Sequence, residues 1–176
     1  MGKKKLSSQE VIIRELLDQN SFGSLYDLST LQFLKSHTHD VYQLHWITCN
    51  TNNGSYHNYL FLLQKSDDNY WEIDCVFPGL SGELSEGVEL EGLPHASLGV
   101  VQAYGNLLYQ FCAYGEIFDK ELSITKVRLI SANNVVLEDY IEQGLALFIS
   151  NERIERPIWV ELYNKEDTCI NRHELT

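Results

Sequence analysis

Two hydrophobic rhythms divide the chain. In "SSQEVIIRELLDQN", residues 7–20, Val11, Ile12, Leu16 and Leu17 recur at helical spacing and mark one apolar face. Ser7 and Glu10 stand three apart at its start, the spacing of a capping box, and Asn20 and Gly23 punctuate its end. "SLYDLSTLQFLKS", residues 24–36, places Leu25, Leu28, Leu31 and Phe33 or Leu34 at comparable intervals, which predicts a second short helix. From Val41 onward the period becomes two. "YWEIDCVF" alternates Trp71, Ile73, Cys75 and Phe77 with Tyr70, Glu72, Asp74 and Val76. "YQFCAYGEIF" sets Tyr109, Phe111, Ala113 and Ile117 on one side, and "ITKVRLI", "NVVLEDYI", "LALFIS" and "IWVELYN" are further short runs of branched and aromatic residues.

Turn chemistry separates these runs at Asn52-Asn53-Gly54, Asp67-Asp68-Asn69, Gly105-Asn106, Asn133-Asn134 and Asn164. Many short strands at regular spacing, without strand–helix alternation, predict a mainly β protein: an antiparallel β-sandwich, with a barrel as the alternative, and an N-terminal α-helix. The length suits a single domain, 1–176. Within it the pattern marks a helix-rich segment 7–36, a front β unit 41–77, an acidic loop 78–95 and a back β unit 96–171, the two β units sharing one core.

The back half, about 98–171, contains "YGEIF", "ITKVRLI", "NNVVLEDYIEQGLALFI" and "PIWVELYNKED". Gly115, Ile117, Ile124, Val127, Leu129, Gly144, Phe148, Val160 and Tyr163 carry a pattern of strands that resembles small bacterial immunoglobulin-like β-sandwich domains. Asp167 stands near the position where that pattern has a glycine. The resemblance implies a fold and brings no activity with it.

Charge narrows the partners. A formal net charge of −12 disfavours nucleic-acid binding, which needs a Lys/Arg surface to displace counterions from phosphate. The basic run Lys3-Lys4-Lys5 is confined to the N-terminus. Neither a signal-type apolar core nor a membrane-length apolar run is present, and Cys49, Cys75, Cys112 and Cys169 follow no zinc-finger or C-x-x-C spacing. These features point to a soluble cytoplasmic protein with free thiols. Cys75 and Cys112, inside apolar runs, are expected to act as small hydrophobes.

Candidate chemistry gathers in "HTHDVYQLHW". On a strand, His37, His39 and His45 share a parity and would present three imidazoles to one face, as a metal-dependent cupin-like barrel enzyme requires. The competing expectation is a solvated polar junction where helix passes to sheet. No nucleophile elbow, phosphate loop or dinucleotide fingerprint accompanies the cluster. No cofactor is expected, and the balance falls toward a non-enzymatic binding or protein-interaction domain. Glu83, Glu86, Glu89 and Glu91 in the acidic loop would contact a basic protein partner, with exposed strand edges as further surface. A small-molecule carrier with a cavity lined by Tyr104, Tyr109 and Tyr114 is the remaining possibility.

Overall fold

A computed structural model describes residues 5–20, 25–78, 93–102, 111–121 and 123–175. The expected mainly β architecture with an N-terminal helix is what it contains, in three antiparallel sheets. The chain divides into two compact units, residues 1–85 and 86–176.

In the first unit, helix α1 (Ser8–Asn20) precedes an antiparallel meander of β1 (Tyr26–His39), β2 (Tyr42–Thr51), β3 (Tyr56–Lys65) and β4 (Trp71–Pro78), in that spatial order. The capping box forms as its spacing predicts. Glu10 Oε2 accepts from the Ser7 backbone N at 2.7 Å, and Ser7 Oγ accepts from Glu10 N at 3.2 Å. Ser7→Ala removes one of these two bonds and is expected to cost about 1 kcal/mol, measurable as a lower urea midpoint. Asn20 ends the helix and starts the sheet: its Oδ1 accepts from Leu25 N and Tyr26 N, and its Nδ2 donates to Tyr26 O. Ile12 and Leu16 pack with Ile47, Phe61 and Leu63 into an apolar cluster, flanked by Leu28, Leu31, Phe33, Trp71 and Ile73.

The second short helix expected at 24–36 is a strand. Strand β1 carries two register shifts, one between Asp27 and Gln32 and one between Phe33 and Lys35. Extra residues at these bulges let Leu28, Leu31 and Phe33 all pack against the α1 cluster. A bulged strand thus reproduces the three-residue spacing of a helix. In β4 a further bulge falls between Ile73, which pairs with Leu63, and Cys75, which pairs with Leu62. The alternation of "YWEIDCVF" therefore does not keep one face: Trp71 and Ile73 flank the α1 cluster, while Cys75 pairs with a residue on the reverse side.

Both faces of β2 and β3 are buried. Leu44, Trp46, Leu60 and Leu62, on the side away from α1, are fully excluded from solvent, as are Ile47 and Leu63 on the other. Such strands read as near-continuous apolar runs rather than as alternating ones.

The second unit is a sandwich. Strands β5 (His95–Gln102), β6 (Phe111–Phe118) and β9 (Leu145–Ser150) form one sheet in the order β5-β6-β9. Strands β7 (Ile124–Ser131), β8 (Val136–Tyr140), β10 (Ile158–Asn164) and β11 (Cys169–Glu174) form the other, in the order β11-β10-β7-β8. All pairings are antiparallel, and neither sheet closes on itself among the described residues. Phe111, Ala113, Ile117, Ala146 and Phe148 of one sheet interleave with Val127, Leu129, Ile158, Val160 and Leu162 of the other. Side chains join the sheets at both sides: Asp139 Oδ2 of β8 accepts from Leu147 N of β9 at 2.8 Å, and Asn171 Nδ2 of β11 donates to Pro94 O beside β5 at 2.7 Å.

The turn signals hold where they are described. Gly54, Asn69, Asn134 and Asp167 all have positive φ, at 85°, 65°, 61° and 59°, the left-handed conformation that Gly, Asn and Asp tolerate best.

Candidate binding surface

The outer face of the β11-β10-β7-β8 sheet concentrates the side chains most able to recognise a partner. Register places Lys126, Arg128 and Ile130 of β7 opposite Tyr140, Glu138 and Val136 of β8. On the other side the same three residues face Tyr163, Glu161 and Trp159 of β10, and Glu161 in turn faces Arg172 of β11. These residues point away from the core because Val127, Leu129, Val160 and Leu162, at the alternate positions, are buried in it.

An aromatic and ionic lattice covers this face. The Tyr163 ring lies beneath the Lys126 ammonium at 4.6 Å and the Arg128 guanidinium at 4.9 Å, and Arg172 lies over Trp159 at 5.0 Å. Arg128 donates from Nε to Glu138 at 2.7 Å, forms a second bond to the same oxygen from Nη2, and donates from Nη1 to Tyr163 Oη at 3.1 Å. The Tyr163 hydroxyl donates a short hydrogen bond to Glu161 Oε2, and Lys126 pairs with Asp167. Glu161 is buried at 8% exposure and also receives Arg172 at 3.6 Å. The hydrogen bond to Glu161, with burial behind it, pushes the Tyr163 phenol up to about 12. The Lys126 ammonium, hydrogen-bonded to Asp167, holds that carboxyl below its usual range. Beside this lattice Val136 and Tyr140 remain 50% and 70% exposed. The surface thus combines rigid, pre-positioned Trp, Tyr and Arg side chains with an exposed apolar margin, the residue types that dominate protein interfaces.

A second feature lies at the β3–β4 turn of the first unit. Ser66, Asp67, Asp68, Tyr70 and Glu72 line an open depression, and the Lys5 ammonium sits 5.5 Å from the centre of the Tyr70 ring.

The histidines do not come together. The "HTHD" stretch is not a helix-to-sheet junction; it is the end of β1 and its turn into β2, with Asp40 at φ 52°. His37 pairs with Leu44 and His39 with Tyr42, whereas His45 pairs with Ser36. Paired residues share a face, so the two-residue turn reverses parity and sends His45 to the opposite side from His37 and His39. The expected common face would have required one continuous strand. His39 Nε2 lies 3.7 Å from Asp40 Oδ2. His45 is buried at 1% exposure under α1. Its Nε2 bonds Ser8 Oγ at 2.9 Å, its Nδ1 bonds Ser36 Oγ at 2.6 Å, and Phe33 meets the ring edge-on. Burial lowers its pKa to about 4. Among the described residues no group of three His, Cys, Asp or Glu side chains is placed to hold a metal ion.

Of the tyrosines expected to line a cavity, Tyr104 and Tyr109 lie outside the described residues, as do Glu83, Glu86, Glu89 and Glu91. Tyr114 is half-buried, its ring lying where a Cβ on Gly99 would come within 3.2 Å, and burial raises its pKa. The remaining histidines outside the cluster stack on aromatic neighbours or bond the backbone: His57 on Tyr59, His95 on Phe118 at 4.9 Å, and His173 to Ala96. All four cysteines are free; Cys49 and Cys112 are buried, Cys75 is half-buried and Cys169 is exposed. No described helix is long and apolar enough to cross a membrane.

The lattice on β7, β8, β10 and β11 was not anticipated from the sequence. Its only linear trace is polar and aromatic residues alternating with buried aliphatics in "TKVRLI" and "IWVELYN", which any half-buried strand shows. Comparison with protein-family models, with curated proteins and with solved structures finds no match for the chain.

Proposed function

We propose that this chain is a non-enzymatic protein-interaction domain whose partner is a basic protein. The observation that carries the reading is the outer face of the β11-β10-β7-β8 sheet, where Tyr163 and Arg128 are hydrogen-bonded to each other and Arg172 stacks on Trp159, beside exposed Val136 and Tyr140. Anchors already ordered before association lose little conformational freedom on binding. The net charge of −12 supports a basic partner, attracted at long range. The acidic segment with Glu83, Glu86, Glu89 and Glu91 belongs to the same proposal, as a steering element.

We read the back half, about residues 98–171, as immunoglobulin-like. Three strands packed on four, with the chain changing sheet at β6–β7, β8–β9 and β9–β10, support that reading. The four free thiols are in keeping with a reducing, cytoplasmic setting.

The test uses affinity capture on the full chain, followed by titration of the recovered partner. Tyr140→Ser and Val136→Asp lie on an exposed margin, so they are expected to leave the melting temperature within a degree or two. Each should weaken binding at least tenfold, the loss of roughly 1.4 kcal/mol. Charge reversal at Glu83, Glu86, Glu89 and Glu91 should slow association and flatten its salt dependence without changing stability. Binding that ignores both sets of substitutions, or that is insensitive to salt, would retire the proposal.

A further inference from the structure

Helix α1 is tied to the first unit's sheet at its end by Asn20, which bonds Leu25 and Tyr26, along its length by an apolar contact, and at its first turn by a polar clip. The contact is Ile12 and Leu16 against Ile47, Phe61 and Leu63. The clip is His45, whose ring spans from Ser36 Oγ on β1 at 2.6 Å to Ser8 Oγ on the first turn of α1 at 2.9 Å. In the neutral ring one nitrogen donates and the other accepts, so each serine hydroxyl has one defined role.

Among the described residues no charged group is set against the ring to compensate a positive charge. Across the sheet His45 faces Ser36 on β1 and Phe61 on β3, and Phe33 covers its edge. From α1 the contacting group is Ser8, while the carboxylate of the first turn, Glu10, is engaged with the Ser7 backbone. Lys35 and His37, the ionisable neighbours on β1, pair with Trp46 and Leu44 and so belong to the opposite face. A buried imidazolium here would have two hydroxyls and two aromatic rings for company.

We propose that α1 is an acid-released strap, held by neutral His45 and freed from the sheet when that imidazole takes up a proton. Release uncovers Ile47, Phe61 and Leu63 and turns the apolar face of α1 outward, so protonation converts a closed sheet face into an exposed hydrophobic one. The device lies within residues 1–85 and does not rest on the binding face proposed above.

The sign follows from linkage. The strapped state disfavours the protonated ring, with a pKa of about 4 against the ordinary 6.5 of a released histidine. The released state therefore binds more protons below neutrality, so the strap is at full strength above about pH 6.5 and weakens as pH falls toward 4. From pH 7.5 to 5.5, still above the sequence pI of 4.8, the strapped state should lose roughly tenfold in its equilibrium against release.

Hydrogen-exchange protection factors on the full chain test this. In the wild type, amides of α1 should lose about tenfold in protection between pH 7.5 and 5.5, while those of β2 and β3 hold, and a hydrophobic dye should bind in step. His45→Gln keeps a donor and an acceptor but cannot be protonated, so its α1 protection should be flat over the same range. PH-independent α1 protection in the wild type, retention of the pH dependence in His45→Gln, or parallel loss in α1 and the strands each overturns the proposal. Should His45→Gln fail to fold, NMR titration of the wild-type imidazole decides: a midpoint near 6.5 overturns the strap, and one well below it, moving with α1 shifts, supports it.

Discussion

Gly115→Ala is expected to lower the stability of the protein by about 3 kcal/mol or more, beyond the usual range for a single added methyl in a packed core. Gly115 lies in β6, paired with Leu98 of β5 and Ala146 of β9. A Cβ built on it would stand 1.9 Å from the Ser97 carbonyl oxygen and 2.8 Å from Leu98 Cα. Those atoms belong to the backbone of the adjacent strand and cannot rotate away, so relief requires β5 to move off β6. Gly99→Ala is the control. Its Cβ would meet the Tyr114 ring at 3.2 Å, a contact that a small ring displacement relaxes, and its cost should be near 1 kcal/mol or less. Urea unfolding of both variants should show a large fall in midpoint for the first and a small one for the second. A Gly115→Ala cost no greater than that of Gly99→Ala would show that the β5–β6 pairing gives way easily.

The second large effect is expected at Asp139. Its carboxylate is buried at 8% exposure and accepts from the Leu147 backbone N, tying β8 of one sheet to β9 of the other. Among the described strands β9 pairs with β6 on one side only, so this bond satisfies a donor that the ladder leaves open. Asp139→Ala strands that donor and should cost about 2–3 kcal/mol, with Leu147 among the amides whose exchange accelerates. Asp139→Asn keeps an acceptor oxygen in place and should recover most of the loss. Equal destabilisation by both substitutions would show that the negative charge, rather than the hydrogen bond, is what matters there.

These two sites bear on the proposed interaction because the outer lattice is only as rigid as the sandwich beneath it. Arg128, Tyr163 and Glu161 hold one another across β7 and β10, and their alternate neighbours Val127, Leu129, Val160 and Leu162 form the core. A sheet that separates at β8 or β5 would loosen the lattice from behind.

Local chemistry was legible along the chain because its partners lie within a few residues. The Ser7–Glu10 capping box spans one helical turn, and the turns at Gly54, Asn69 and Asn134 depend on backbone conformations that those residues tolerate. The alternation after Val41 was enough to define a mainly β fold, and the free cysteines at 75 and 112 sit in strands as their apolar surroundings suggest. Periodicity misled at residues 26–39, where bulges give a strand the spacing of a helix. The histidine parity misled for a related reason: residue number keeps its parity along a strand, but a two-residue turn inverts it between one strand and the next.

The sequence by itself determined the helix start, the turns and the predominance of strands, since each rests on contacts or conformational preferences that reach only a few residues along the chain. Tertiary structure alone decided which side chains meet. Lys126 reaches Asp167, Arg128 reaches Tyr163, and His45 reaches Ser8, across 41, 35 and 37 residues respectively. Those meetings depend on strand order, register and bulges, and a slip of one residue in any pairing would send the same side chains to opposite faces.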